Sequence, residues 1–291
     1  MSETVKRVLS AIIALPVYVL VIVTDSFHSM PALAASLIIS LVCLYEYYQI
    51  ADKGEGKRPF MMPGMILGAV VNIVMYLYAY GRLYGYSNGF ADFDARLVFA
   101  VFALALPAVF AIQILRRPIE GAIYSLAVTV FGIVFIVFSF SHILLLKALK
   151  DGYHYIIIVN MIVMLNDAGA YFGGINFGRH RAKFKVSPNK TWEGYFFGLL
   201  TSIVAMMVVS QVYDVLLGKH LFGMIEAAVL GIVLSVVGNI GDLIESAIKR
   251  DSVTKDSGHI IPGHGGMWDV FDAMIVAMPL FYYYLVIKGV R

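Results

Sequence analysis

Nine apolar stretches alternate with short polar ones along this chain. They run Val8–Val23, Pro31–Ile50, Pro63–Tyr80, Leu97–Leu115, Ile119–Leu146, Tyr155–Gly174, Gly194–Leu217, Gly223–Glu245 and Phe271–Ile287. A helix needs about 20 residues to cross the hydrocarbon of a bilayer, and most of these stretches approach that length. The pattern predicts an all-α integral membrane protein with about nine transmembrane helices. The fifth stretch is too long for one upright helix, so it tilts or breaks, with Gly132 and Ser139–Ser141 as the natural places. Gly, Ser and Ala recur within the stretches and allow helices to approach closely in lipid.

Composition agrees. Of the 291 residues, 60% are hydrophobic and only 14% charged, and the mean hydropathy is +0.82. Soluble domains carry about 25% charged residues, so that class is excluded. The net charge of +3 says little alone; the placement of the charges says more. With the N-terminus in the cytoplasm, fifteen of the 22 basic residues fall on the cytoplasmic side, as the positive-inside rule requires. The polar loops Arg179–Glu193 and Ser246–Trp268 then share that side. Cys43 is the single cysteine, which rules out an internal disulfide and a thiolate metal cluster; it reads as a small packing residue. The start, M-S-E-T-V-K-R before an apolar run, lacks a clean small-x-small cleavage site and reads as a retained first helix. No internal repeat or soluble domain is visible. Residues 1–150 hold few polar motifs and read as a scaffold. Residues 151–291, with loops at 175–193 and 246–270, hold nearly all of the candidate chemistry.

The eighth stretch ends S-V-V-G-N-I-G-D-L-I-E-S-A-I-K-R. On a helix, Asn239, Asp242, Ser246 and Lys249 form one polar stripe. A carboxylate inside the membrane boundary, as Asp242 is, marks either a functional site or a charge partner. The plain alternative is an ion pair from Asp242 to Lys249 or Lys255 that only pins the loop. Beyond it, Lys249, Arg250 and Lys255 supply positive charge, and Pro262 to Gly266 (P-G-H-G-G) supply a chain able to bend and offer N–H groups to an anion. It is not a G-x-x-x-x-G-K-[ST] loop. Asp269 and Asp272 follow on one helical face, suited equally to helix capping and to metal binding. With Asp256, up to four carboxylates gather at one membrane level. Oxygen donors of this kind, with substrate phosphates completing the shell, suit magnesium. Zinc is disfavoured, because there is no thiolate and His259 and His264 lack the H-E-x-x-H arrangement.

The second polar loop, Arg179 to Gly194, carries five cations. Its bland reading is a basic loop against anionic lipid. Its sharper reading is phosphate capture by Ser187, Lys190 and Thr191, with Trp192 at the interface or against a base. Just before it, Asn166 and Asp167 lie inside the sixth stretch. Asp167, one turn from Tyr171, is a second intramembrane carboxylate and joins the substrate-binding candidates.

These motifs, G-D-L-I-E-S-A-I-K-R followed by K-D-S-G-H-I-I-P-G-H-G-G-M-W-D-V-F-D, resemble the signature of the phosphatidate cytidylyltransferases, or CDP-diacylglycerol synthases. S-P-N-K-T-W-E-G and N-D-A-G-A-Y resemble two further elements of that family. The resemblance implies that CTP and phosphatidate react to CDP-diacylglycerol and pyrophosphate for phospholipid synthesis, with magnesium required. The number of ions, including a second metal or a monovalent ion, is left open. It also implies a multi-pass homodimer among the lipids of the bacterial inner membrane, with the site facing the cytoplasm and no nucleic-acid partner. Asp242, Asp269 and Asp272, with Asp256 beside them, would be metal ligands. Asp242, Lys249, Arg250, Lys255 and Asp269 would form the catalytic set. His264 with Gly263, Gly265 and Gly266 would hold phosphates, and Ser187, Lys190 and Thr191 would line the nucleotide or lipid phosphate site. The chain departs from the pattern at three positions. Val270 stands where an arginine is usual, which removes a bidentate phosphate ligand; Trp268 replaces a leucine and Asn189 a lysine. Two other functions fit the same residues: a cytidylyltransferase for another lipid phosphate, and a transporter using Asp167 and Asp242 along an ion path.

Overall fold

The computed structural model describes residues 16–54, 56–83, 96–261, 263 and 265–290. Residues 1–15 lie outside it, and with them half of the first apolar stretch; its described remainder, 16–23, is helical and is called α1. The other helices are α2 (Ser26–Ala51), α3 (Met61–Leu83), α4 (Arg96–Arg116), α5 (Ala122–Gly132), α6 (His142–Lys147), α7 (Gly152–Phe177), α8 (Trp192–Leu217), α9 (Met224–Asp251) and α10 (Trp268–Lys288). Among the described residues there is no β-sheet, only two isolated bridges within the polar loops. Among the described residues, eight segments are long and apolar enough to cross a membrane, with α5 and α6 together forming one of them. The chain is a multi-pass helical membrane protein.

The fifth stretch breaks where its sequence suggests. After Gly132 the helix widens into a π-segment, Ile133–Phe138, and it turns again at Ser141 before α6. Several helices extend beyond the apolar pattern, and two of these extensions bear on the polar loops. α9 continues through Ser246, Lys249 and Arg250 to Asp251, so the loop read as 246–270 is 252–267. The cause is local: Glu245 and Lys249, one turn apart, form an ion pair of 2.6 Å that supports another turn. α10 likewise begins at Trp268, three residues before its apolar run.

The interior is centred on α7 and α10. Ile156, Val159 and Ile162 of α7 and Ile275, Met278, Phe281 and Leu285 of α10 are fully buried. The outer surface is apolar too, with Phe99, Leu104, Ile123 and Val215 exposed, as a lipid-facing surface demands. Ion pairs mark the two ends of the bundle. At one end Lys53 meets Asp251 at 2.5 Å, Lys190 meets Asp242, and the Arg117 guanidinium donates to the carbonyl of Arg58 at 2.7 Å. At the other, Lys147 meets Asp25, Lys219 meets Asp151 and Lys288 meets Glu226. Both chemistry-bearing loops lie at the first end.

Candidate active site

Three carboxylates converge where α9 and α10 cross. One oxygen each from Asp242, Glu245 and Asp272 lie within 4.8 Å of one another. The crossing is close because residue 241 has no side chain. A Cβ there would stand 2.7 Å from the carbonyl oxygen of Asp272 and 2.8 Å from the Cα of Ala273. The glycine in G-D-L-I-E-S therefore brings the Asp242 and Asp272 backbones together, and the i, i+3 spacing of Asp242 and Glu245 puts both on the facing side.

Two lysines meet this group. Lys190, from the loop before α8, pairs with Asp242. Lys249 lies 2.6 Å from both Glu245 Oε2 and Asp269 Oδ1, with all three side chains nearly buried. Asp167 of α7 stands in electrostatic range of Lys190 and Asp272. Five carboxylates (Asp167, Asp242, Glu245, Asp269 and Asp272) thus face two lysines. Carboxylates packed this closely repel, and the excess calls for protons or for a further cation. Lys190 lies outside the spans; burial lowers its ammonium pKa, against the raising pull of Asp167, Asp272 and Glu245.

The cluster could hold a divalent ion. All its donors are oxygen, which suits magnesium. Glu245 Oε1 is buried and has no hydrogen-bond partner among the described residues. Asp272 is buried and has no ion-pair partner among the described residues. A buried, unsatisfied carboxylate oxygen beside two further carboxylates is what a cation would complete.

The expected residues divide into groups. Asp242, Asp272, Lys190 and Lys249 come together, and Asp167 stands beside them. Asp242 does not pair with Lys249 or Lys255; its partner is Lys190, so the pair ties the loop before α8 to α9 rather than pinning the loop after α9. Asp269 belongs to the loop instead of the ion cluster. Its Oδ1 takes Lys249, and its Oδ2 accepts from the Ser257 N–H and Oγ–H, both at 2.9 Å, and from the Gly266 N–H at 2.7 Å. Asp256 and Lys255 are exposed, and Asp256 is outside the cluster. The Arg250 guanidinium reaches the carbonyl of Val186 at 3.4 Å and so ties α9 to the other loop. Thr191 caps α8, accepting from the Gly194 N–H at 3.1 Å. Ser187 is half-buried in the turn before it.

The glycine-rich turn is folded on itself. Ile261 and Gly265 exchange N–H···O bonds of 2.9 and 3.1 Å, and the Gly266 N–H is committed to Asp269. The Gly265 and Gly266 amides therefore serve the loop, which corrects the expectation that they are offered to an anion. Gly263 and Gly265 have φ of +83° and +97°, the region that favours glycine. His264 and Pro262 lie outside the described residues. Of the three departures, Trp268 is fully buried, edge-on to Tyr47 at 5.5 Å, and Asn189 accepts from Arg181 at 2.8 Å. Val270 is partly buried, in the first turn of α10.

Two residues escaped the sequence reading. Glu245 is written in the G-D-L-I-E-S motif, one turn from Asp242, and the spacing alone was the available signal. Glu46, on α2, is 3% exposed and accepts from the Ser257 hydroxyl and from the N–H groups of Met267 and Trp268. Only its position as an isolated acid inside an apolar stretch marks it. It carries the N-terminal helices across the division at residue 150.

A many-helix membrane bundle with a lysine-flanked carboxylate cluster at one end defines a class of polytopic membrane proteins with a charged site at the membrane boundary. The chain belongs to the Cytidylyltransferase family, whose model matches residues 5–288. It is similar to a phosphatidate cytidylyltransferase of Staphylococcus epidermidis (strain ATCC 35984), 42% identical over 131 residues, covering 45% of this chain and 48% of the relative. A phosphatidate cytidylyltransferase of Staphylococcus haemolyticus is 41% identical over 131 residues with the same coverage. That of Staphylococcus aureus (strain COL) is 41% identical over 133 residues, again 45% of this chain and 48% of the relative. The match spans about half the length of these curated relatives.

Proposed function

We propose that this protein transfers the cytidylyl group of CTP to phosphatidate, giving CDP-diacylglycerol and pyrophosphate for phospholipid synthesis. The observation that carries the reading is the convergence of Asp242, Glu245 and Asp272 beside Lys190 and Lys249, at the end of the bundle that holds both polar loops. Family membership and the staphylococcal relatives support the choice of substrates.

Phosphatidate is a phosphate monoester, largely ionised at neutral pH, so its oxygen needs no strong general base. The barrier is repulsion between two anions, and the protein's task is neutralisation and in-line positioning. A lipid phosphate oxygen attacks the α-phosphorus of CTP. A new P–O bond forms, the bond from the α-phosphorus to the α–β bridging oxygen breaks, and the electron pair departs with pyrophosphate. Asp242, Glu245 and Asp272 would hold a magnesium ion, which supplies Lewis-acid polarisation and charge neutralisation at the phosphoryl oxygens. Lys190 leaves Asp242 to meet phosphate, and Lys249 keeps Glu245 and Asp269 ordered. Arg250 and Lys255, at the exposed rim, receive the leaving pyrophosphate. Ser187 and Thr191 line the phosphate site beside them, His264 is a further phosphate ligand, and Asp167 borders the site from α7.

The site faces the cytoplasm of a bacterial inner membrane, where CTP is available, and phosphatidate enters sideways from lipid. Cation-rich loops at the site end support this orientation. A homodimer is the expectation carried by the family resemblance.

The test is Asp242→Asn in detergent, supplied with labelled CTP, magnesium and phosphatidate. Pyrophosphate release should fall to background while the protein elutes as the wild type does. Turnover near that of the wild type would remove Asp242 from the mechanism. A panel of other lipid phosphates, run on the wild type, separates phosphatidate from its rivals as substrate.

A further inference from the structure

Glu46 sits in the half of the chain that otherwise reads as scaffold, yet its carboxylate enters the loop between α9 and α10. Its Oε1 accepts from the Met267 N–H at 2.9 Å. Its Oε2 accepts from the Trp268 N–H at 2.9 Å and the Ser257 hydroxyl at 3.1 Å. Among the described residues it has no lysine or arginine partner. Burying a carboxylate without a counter-ion is costly, and here the cost is met by donors from the first residues of α10 and the loop. The positive end of that helix adds to the attraction. The fit leaves no slack. A Cβ on Gly266 would stand 2.5 Å from Glu46 Oε2, and one on Gly258 would stand 2.5 Å from Oε1.

Those donors reach the ion cluster through three successive contacts. Ser257 is shared between Glu46 and Asp269, and Gly266, packed against Glu46, donates to Asp269. Asp269 holds Lys249, which holds Glu245. Trp268 and Met267 begin the helix that carries Asp272 one turn on. α2 and the residues just after it touch both helices of the cluster: the Tyr47 ring of α2 meets Trp268, and Lys53, two residues past α2, meets Asp251 at the end of α9. Moving the Glu46 carboxylate therefore moves the start of α10, and Asp272 with it.

We infer that Glu46 is a positioning residue for the divalent-ion site: it caps α10 from α2 and fixes Asp272 against Asp242 and Glu245. The inference rests on the proposed ion site and adds a residue that touches neither ion nor substrate. Outer-shell groups of this kind change metal affinity by about 10–100-fold when removed. Glu46→Gln keeps the shape but places an NH2 group among N–H and O–H donors.

The experiment counts free Mn2+ by electron paramagnetic resonance, without nucleotide, on the purified full chain. The wild type should bind Mn2+, and Glu46→Gln should bind it about 10-fold more weakly while eluting as a folded protein. Its CTP-dependent turnover should recover as Mn2+ is raised, which a loss of folded protein would not do. Wild-type affinity in Glu46→Gln overturns the inference. Absence of Mn2+ binding in the wild type removes the ion site itself, and the inference falls with it. Should Glu46→Gln fail to fold, Ser257→Ala decides. It removes the hydroxyl shared by Glu46 and Asp269, and an unweakened Mn2+ affinity there overturns the proposal while a weakening of a few-fold sustains it.

Discussion

Replacing Lys249 with methionine should destabilise the protein and do so through charge. The lysine Nζ is 2.6 Å from Glu245 Oε2 and 2.6 Å from Asp269 Oδ1. Side-chain exposures are 12% for Lys249, 2% for Glu245 and 11% for Asp269, so water screens none of them well. Methionine keeps much of the volume and removes the cation. Breaking a buried pair by deleting one partner costs about 3–5 kcal/mol, because the other charge is left uncompensated. Here one lysine serves two carboxylates, so the upper part of that range applies. Apparent melting in detergent, at a fixed scan rate and with chelator present, should fall by roughly 10 °C. The chelator matters, since a divalent ion would screen the same carboxylates. The double variant Lys249→Met with Glu245→Gln neutralises one stranded charge and should regain about half of the loss, a non-additive result. Both variants should be inactive. A Lys249→Met protein that melts with the wild type, or a double variant whose losses simply add, refutes the buried-triad account.

Other outcomes follow from the same geometry. Gly241→Val should separate α9 from α10, because its Cβ would start 2.7 Å from the Asp272 carbonyl. The expected cost is about 1–3 kcal/mol, read by melting, together with loss of Mn2+ binding; retention of both would show that the crossing can relax. For Lys190, burial lowers the pKa, so the cation is lost at a lower pH than in an ordinary lysine. The alkaline limb of kcat/KM for CTP should lie correspondingly low. In Lys190→Arg, whose guanidinium stays charged, the limb should move upward or vanish. An unmoved limb would assign it to another group.

Much of the fold was legible because bilayer thickness imposes a length on every span, and because Gly132 and Ser139–Ser141 interrupt the longest run. The helix ends were less so. Hydropathy ends α9 at Glu245, but the Glu245–Lys249 pair carries it to Asp251 in a polar stretch that hydropathy cannot follow. At the site, Asp242, Asp272, Lys190 and Lys249 announced themselves as charges in an apolar chain. Their pairing did not. Spacing along α9 suggested Asp242 with Lys249, while tertiary structure supplies Lys190 from 52 residues away. The glycine turn shows the same limit: sequence reveals that its backbone can bend, but not that Ile261 and Asp269 take its amides. Glu46 was the hardest to see, since its partners are more than 200 residues distant.

The widened turn at Ile133–Phe138 lets one span serve two sets of neighbours. Before it, Thr129 takes the hydroxyl of Tyr48 and the N–H of Phe60, and Tyr47 reaches Val128, all contacts with α2 or the chain that follows it. After it, Phe140 packs on Phe271, and His142 on Tyr282 and Tyr283, all of α10. An ideal helix advances about 100° per residue, so trimming a single residue here would swing the lower half by that angle relative to the upper. His142 would then turn away from α10. The bulge thus acts as a coupling between two gears cut to different pitches, keeping the outer helices and the reaction-bearing pair in step.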